Sequence, residues 1–130
     1  MESKVKFEIE YPIHAAPSML YQYISSASSL SEWFADNVNS RGEEFTFIWD
    51  DGEEYAKLIN KKSNEKVRFR WINGEPEQDD YYFEFEILVD EITKDVSLIV
   101  HDFSDENELE ESKMLWDTLV SDLKQVLGSV

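Results

Sequence analysis

Residues that could do catalytic or metal chemistry are sparse in this sequence, apart from its carboxylates. The chain has two histidines and no cysteine, so thiolate ligands and disulfides are excluded. His14 stands at the turn after the first predicted strand, and His101 stands near the end of the last one. They are not spaced as a pair of ligands on one helix, and histidine is often partly buried without a chemical role. We predict no metal site, a structural role for His101 and a surface position for His14.

The carboxylates are abundant, yet their spacing gives none of them a catalytic context. Glu84 and Glu86 alternate with apolar residues, which places them on the outer face of a predicted strand. Arg68 and Arg70 alternate with apolar residues in the same way, so they are expected on the outer face too. We expect them to form exposed cross-strand ion pairs with the glutamates, each of which contributes roughly 0–1 kcal/mol to stability. The Asp-Asp-Gly run at 50–52 begins like a calcium loop but lacks the later ligands, and it predicts a tight hairpin instead. No enzyme activity is predicted from these residues.

Aromatic side chains are the main candidates for ligand binding in this sequence, since 14% of its residues are Phe, Trp or Tyr. Strand alternation can turn many of them inward, where they would line a cavity for an apolar or aromatic ligand, oriented by a few polar groups such as tyrosine hydroxyls. The candidate ligand-binding residues are Tyr23, Trp33, Phe47, Trp49, Tyr55, Phe69, Trp71, Tyr81, Phe83, Trp116 and Val120. The alternative is a packed core in which the same side chains leave no space. No cofactor is predicted.

The net charge of −17 limits the partners that the chain can have. Nucleic acid and an anionic membrane would both be repelled, so neither is expected. The simplest interpretation of the acidic surface is that it keeps the protein soluble. The more specific alternative is that it binds a basic protein partner. The first residues lack the apolar segment of a signal peptide, and no run is long enough for membrane insertion. The absence of cysteine fits a reducing compartment, so the chain is expected to be cytoplasmic. Its length predicts one domain over residues 1–130.

One long amphipathic helix is predicted near the C-terminus, over Asp105–Leu127. Its apolar residues recur at steps of three, four and seven, which aligns them along one stripe of the helix. Asp105 and Glu108 have the spacing of a capping box at the start, and Gly128 is suited to a left-handed helix end. The rest of the chain is expected to form the curved surface on which this helix packs.

The remaining sequence predicts one strand, two short helices and six further strands. The first strand alternates over Lys4–Tyr11, and a first helix is predicted over Met19–Ser26. A second helix runs through residues 33–34 and is capped by Ser28 or Ser29. The further strands are predicted at residues 37–40, 45–49, 53–61, 67–71, 81–89 and 96–101, with a polar loop at 73–80. Consecutive hairpins indicate an antiparallel sheet with one buried face.

Four short stretches carry a resemblance that covers essentially the whole chain in order. They are Ala16-Pro17, Leu30-Ser31-Glu32-Trp33-Phe34, Ile99-Val100-His101-Asp102-Phe103, and Trp116-Asp117-Thr118-Leu119 with Leu123. With them the sequence resembles the helix-grip proteins of the SRPBCC superfamily (START and birch-pollen-allergen-like proteins), and within it the activator-of-heat-shock-ATPase homologues. The resemblance implies an α+β helix-grip fold, in which a seven-stranded curved antiparallel sheet wraps around a long C-terminal helix and two short helices lie between strands 1 and 2.

The resemblance also implies a function, which is to bind a small hydrophobic molecule, lipid-like or aromatic, between sheet and helix. It leaves two other classes open. One is a co-chaperone-like interaction module that docks a basic partner through its acidic surface, and the other is a cyclase- or aromatase-like enzyme that uses the same cavity. The sequence departs from the heat-shock branch at Arg41-Gly42-Glu43-Glu44, where that branch usually has a Gly-Gly pair. Ligand preference is therefore not carried over.

Overall fold

Seven strands form one antiparallel sheet in the computed structural model of the protein, which describes residues 4–72 and 81–128. The strands are β1 (Lys4–Ile13), β2 (Asn37–Arg41), β3 (Glu44–Trp49), β4 (Gly52–Lys62), β5 (Lys66–Ile72), β6 (Tyr82–Val89) and β7 (Val96–Asp105). Their order across the sheet is β1-β7-β6-β5-β4-β3-β2, so the first strand pairs with the last. The predicted seven-stranded antiparallel sheet is confirmed. The loop predicted at 73–80 lies outside the described residues.

The inner face of the sheet is apolar because alternate residues of neighbouring strands point to the same side. Register places Phe69 opposite Phe83 and Phe85 opposite Val100, and these side chains are fully buried. The pairing of β4 with β5 shifts register at residues 58–60, an irregularity of the kind that bends a strand. The bend contributes to the curvature that lets the sheet wrap around a helix.

Two short helices connect β1 to β2, namely α1 (Pro17–Ser25) and α2 (Ala27–Leu30). Ser26 lies between them with extended backbone angles, and its hydroxyl oxygen accepts a hydrogen bond from the Ser29 backbone N–H at 3.3 Å. Ser26 therefore caps α2, and the prediction that Ser28 or Ser29 does so is wrong. A capping residue has an extended backbone conformation, which Ser26 can adopt because it precedes the helix, whereas Ser28 and Ser29 lie within the helix.

The chain turns beyond α2 instead of continuing as a helix. The Leu30 carbonyl accepts hydrogen bonds from the backbone N–H groups of Phe34 at 2.8 Å and of Trp33 and Ala35 at 3.4 Å. The prediction that a helix runs through Trp33 and Phe34 is therefore wrong, since α2 ends at Leu30. Both aromatic side chains are buried, and the turn allows them to enter the core together.

The long C-terminal helix, α3 (Leu109–Leu127), follows one 3₁₀ turn at Glu106–Glu108. It starts later than predicted because β7 continues as far as Asp105, which pairs with Lys4 of β1. Pairing with β1 outweighs the local helix signal there. The predicted capping box is wrong, since the Asp105 side chain makes no cap hydrogen bond to the described residues. Gly128 ends the helix with a φ of 74°, as predicted.

Helix α3 packs its apolar stripe on the inner face of the sheet and buries Trp116, Val120 and Leu123. A hydrogen bond ties it to β1, where the Tyr11 hydroxyl donates to Asp117 Oδ1 at 2.7 Å. Burial, together with the Asp117 carboxylate, raises the pKa of Tyr11, so the hydroxyl keeps its proton and remains a donor. Within the described residues, neither α3 nor another helix is long and apolar enough to cross a membrane.

A row of charged side chains crosses the outer face of the sheet, where register aligns Glu8, His101, Glu84 and Arg68. Arg68 Nε donates to Glu84 Oε1 at 2.7 Å, and its guanidinium lies 4.0 Å from the centre of the Tyr82 ring. The cross-strand ion pair predicted for Arg68 is confirmed. The expectation that such a pair is exposed is wrong for Glu84, which is only 7% exposed because it lies between the side chains of both neighbouring strands.

The other members of the outer face differ from the expected pairing as well. Arg70 stands opposite Tyr82, not opposite a glutamate. His101 is buried, with Nε2 lying 3.0 Å from Glu86 Oε1 and Nδ1 lying 3.1 Å from Glu8 Oε2. The structural role predicted for this histidine stays a prediction, since the His101 ring also lies with Glu84 and Glu86 in a group whose ligand atoms are all within 4.8 Å of one another, close enough to hold a metal ion. His14 is exposed, as predicted.

Candidate ligand-binding site

A cleft of about 350 Å³ lies between α3 and the inner face of the sheet. We call it the tryptophan cleft. It is lined by Phe34, Trp49, Asp51, Glu54, Trp71, Asp102, Leu115, Trp116 and Leu119. The lining combines aromatic rings with carboxylates, so the cleft is an apolar surface with a few acidic groups.

Two of the tryptophans come from the sheet. Trp49 ends β3 and Trp71 lies next to the end of β5, both in the inward phase of their strands. Trp49 Nε1 donates to the Phe34 carbonyl at 3.3 Å, which joins the end of β3 to the turn after α2. The predicted hairpin at 50–52 is confirmed, and its Gly52 has a φ of 152°, a conformation that side chains disfavour. This turn brings Asp51 to the cleft.

Helix α3 supplies the opposite wall through Leu115, Trp116 and Leu119. Trp116 is only 5% exposed, whereas its neighbour Leu115 is 59% exposed. The Trp116 ring lies 5.8 Å from Phe34 and 5.7 Å from Phe85, centre to centre. Trp116 is thus a core residue whose remaining surface forms part of the cleft wall, and Leu115 lies at the rim.

Asp102 is the most buried carboxylate of the cleft. It lies on β7 in the inward phase, opposite Phe7 of β1. Its Oδ2 accepts a hydrogen bond from Trp116 Nε1 at 2.8 Å, and its Oδ1 accepts one from the Phe103 backbone N–H, also at 2.8 Å. Burial raises the pKa of Asp102, while these two hydrogen bonds and the charge of Lys4 act in the opposite direction. A carboxylate has about four acceptor positions, so Asp102 can still accept from a ligand.

The other two carboxylates, Asp51 and Glu54, are exposed at the mouth of the cleft. Glu54 stands opposite Phe47 in the register of β3 and β4, so it has the inward phase. The charged residues that line the cleft are therefore all acidic among the described residues. Together the three carboxylates give an otherwise aromatic cleft a negative potential.

The structure brings three of the predicted ligand-binding residues together at the cleft, namely Trp49, Trp71 and Trp116. Five others are packed in the core with exposed fractions of 0–4%: Trp33, Phe47, Phe69, Phe83 and Val120. The Phe69 and Phe83 rings stack with their centres 5.1 Å apart, and the Phe47 ring meets both of them edge-on at 6.0 Å. These five residues therefore match the alternative, a packed core, better than they match the wall of a cavity.

The three predicted tyrosines lie elsewhere, and the described residues that line the cleft include none of them. Tyr23 is half-buried on α1, and its carbonyl accepts from Trp33 Nε1 at 2.8 Å. Tyr55 is exposed on the outer face, because it shares the phase of Thr46 on the neighbouring strand. Tyr81 precedes β6 and packs on Phe103, with ring centres 5.3 Å apart. The prediction that Tyr55 and Tyr81 point inward toward a ligand is therefore wrong.

Sequence reasoning missed the acidic residues of the cleft, although a signal for them was present. Asp102 continues the inward phase of Leu98 and Val100, and Glu54 has the same phase as Ala56 and Leu58. A carboxylate at an inward position of an amphipathic strand breaks the alternation. Such a break marks a polar group that the fold directs toward its interior or toward a ligand.

The family of the protein follows from comparison with known sequences and structures. Residues 1–129 match the model of the START-like superfamily domain, and the chain belongs to this superfamily. None of the curated proteins matches the chain. The predicted superfamily is confirmed, and with it the predicted helix-grip fold.

Solved structures similar to this chain cover almost its whole length. The Aha1 dimer from Colwellia psychrerythraea is 18% identical with a TM-score of 0.80, and the alignment covers 95% of this chain and 96% of that one. BfR322 from Bacteroides fragilis is 32% identical with a TM-score of 0.66, covering 97% and 92%. MLL2253 from Mesorhizobium loti is 17% identical with a TM-score of 0.76, covering 95% and 97%. The first and third likenesses concern the fold alone.

Proposed function

We propose that this protein binds a small apolar or aromatic molecule in the tryptophan cleft. The observation that carries the proposal is that four aromatic rings, those of Phe34, Trp49, Trp71 and Trp116, line one open cleft. Ligand sites in proteins are concave and mostly apolar, with a small number of polar groups that fix orientation. The cleft has this composition, with Asp102 as the polar group closest to the core.

The size of the cleft narrows the class of ligand. A volume of about 350 Å³ is at the lower end of the range of about 300–1,000 Å³ for ligand pockets. The space that a long acyl chain would need further inside is filled by Phe47, Phe69 and Phe83, which are fully buried. A compact, ring-sized molecule is therefore a better match than a long-chain lipid.

Two other functions rest on specific features of the chain. The net charge of −17 would favour a basic protein partner, as in a co-chaperone-like module. The raised pKa of Asp102 is a property that a general acid in a cyclase-like enzyme would need. Binding without conversion is preferred, because the titratable groups among the described residues of the cleft are carboxylates, with no base of another type beside them. Chemical conversion of a bound ligand would favour the enzyme instead.

Titration with N-phenyl-1-naphthylamine, an uncharged apolar dye whose fluorescence increases on burial, tests the binding function. We expect the wild-type protein to bind one dye molecule. Trp49→Ala should weaken binding by about tenfold, since loss of one aromatic anchor costs about 1.4 kcal/mol or more. Leu119→Trp should weaken it as well, by filling the cleft.

The matched control is Tyr55→Ala, which removes an aromatic ring from the outer face of the sheet and should leave dye affinity unchanged. Thermal unfolding of each variant verifies that it is folded. Absence of dye binding to the wild type would contradict the proposed function. Equal losses in Trp49→Ala and Tyr55→Ala would place the dye outside the cleft and contradict it too.

A further inference from the structure

We propose that the ligand of the tryptophan cleft is an organic cation, a molecule that carries an amine or quaternary ammonium group next to its apolar part. This inference rests on the proposed function and specifies the chemistry of its ligand. Two properties of the same cleft support it independently. One is the charge of its polar groups, and the other is the chemistry of its rings.

The polar groups favour a positive charge because they are all acidic. Asp51, Glu54 and Asp102 line the cleft, and the described lining residues include no lysine, arginine or histidine. An anionic ligand would be repelled by these groups and by the net charge of −17. A neutral apolar ligand would bury the carboxylates further without compensating their loss of water. A cation both avoids the repulsion and compensates the desolvation.

Asp102 is the carboxylate whose desolvation a bound cation would compensate most strongly. It is partly buried, and the hydrogen bonds that it accepts come from uncharged donors, an indole N–H and a backbone N–H. The charge of Lys4 acts on Asp102 without a hydrogen bond, and a cationic group at the cleft would add a further opposite charge next to this carboxylate. Asp51 and Glu54 at the mouth would attract the same cation from solution.

The rings favour a cation as well. The face of an aromatic ring carries a partial negative charge, and tryptophan is the best of the natural side chains for binding a cation in this way. Trp49, Trp71 and Trp116 line the cleft together with Phe34. Aromatic rings gathered around one space are the arrangement by which proteins recognise quaternary ammonium groups. Here the carboxylates strengthen the same preference.

Three ligands of nearly the same shape separate charge from size. They are benzyltrimethylammonium, which is a cation, neopentylbenzene, which is its uncharged isostere, and phenylmethanesulfonate, which is an anion. Each is titrated against the wild-type protein by displacement of N-phenyl-1-naphthylamine and by tryptophan fluorescence. We expect the cation to bind about tenfold more tightly than the neutral isostere, from ring and carboxylate contacts together. The anion should bind more weakly than both.

A pair of charge-removing variants tests whether the preference arises in the cleft. Glu54→Gln should weaken binding of the cation by about threefold and should not weaken binding of the neutral isostere, which no longer has to desolvate that charge. Glu53→Gln removes the same charge from the adjacent residue, which is paired with Ile48 in the opposite phase and contacts Tyr55. It should change cation affinity less, because its effect acts only at a distance through screening solvent.

The outcomes distinguish the charge of the ligand from the existence of the site. If the neutral isostere binds as tightly as the cation, the inference is overturned and the binding function stands. Equal losses of cation affinity in Glu54→Gln and Glu53→Gln would show that the attraction is diffuse and does not arise in the cleft. This result would also overturn the inference. If the dye binds and none of the three ligands does, the inference again fails alone. Failure of the dye itself contradicts the proposed function.

Discussion

Replacing Trp116 by alanine is expected to lower the free energy of unfolding by about 3–5 kcal/mol. The side chain is only 5% exposed, and its ring contacts those of Phe34, Phe83 and Phe85. Truncation leaves a void among rigid rings that cannot collapse into it. It also removes the indole N–H that Asp102 accepts from at 2.8 Å, which leaves a partly buried carboxylate with one fewer donor.

Urea unfolding of Trp116→Ala measures this loss, and Leu115→Ala is its matched control. Leu115 precedes Trp116 on α3 and is 59% exposed, so its truncation should cost about 0.5 kcal/mol or less. A loss below about 1.5 kcal/mol for Trp116→Ala, well under the range for a buried tryptophan, would mean that its ring faces open space. In that case Trp116 would contribute to the wall of the cleft without contributing to the core.

Replacing Glu84 by alanine should cost about 2 kcal/mol, more than an exposed ion pair contributes. Glu84 is 7% exposed and accepts from Arg68 Nε at 2.7 Å. Removing it leaves the guanidinium without that partner on a crowded face of the sheet. The cost stays below the 3–5 kcal/mol typical of fully buried pairs because the Arg68 side chain is 34% exposed, so water can reach it.

Chemical unfolding of a double-mutant cycle measures this coupling. The combined variant Arg68→Ala with Glu84→Ala should lose less stability than the sum of the two single variants, since each single change leaves one charge unpaired. Glu10→Ala, on an exposed position of the same face, is the control and should change stability little. Strict additivity of the two single variants would show that the pair contributes no coupling.

The strands could be predicted from sequence because alternation is local. Phe69, Phe83, Phe85 and Val100 all occupy the inward phase that alternation assigned to them, and all are buried. The end of β7 could not be predicted in the same way. Residues up to Asp105 carry a helix-start signal, yet they pair with the other end of the chain, and long-range pairing outweighs local propensity.

The cleft could be predicted only in part, for a physical reason. Alternation states which face a side chain occupies, and it does not state how tightly that face is packed. Phe47 and Trp49 have the same phase on β3, yet Phe47 is fully buried in the core and Trp49 lines the cleft. The burial of Glu84 on the outer face escaped prediction similarly, because it depends on large side chains from other strands.

The central claim, binding in the tryptophan cleft, is tested most directly by the indole N–H signals in nitrogen–proton NMR spectra. The chain has four tryptophans, of which three line the cleft, while Trp33 is buried with its Nε1 donating to the Tyr23 carbonyl. Titration with benzyltrimethylammonium, or separately with neopentylbenzene, should shift the signals of Trp49, Trp71 and Trp116 and leave that of Trp33 nearly unchanged. No shift with either ligand, or a largest shift at Trp33, would contradict the claim.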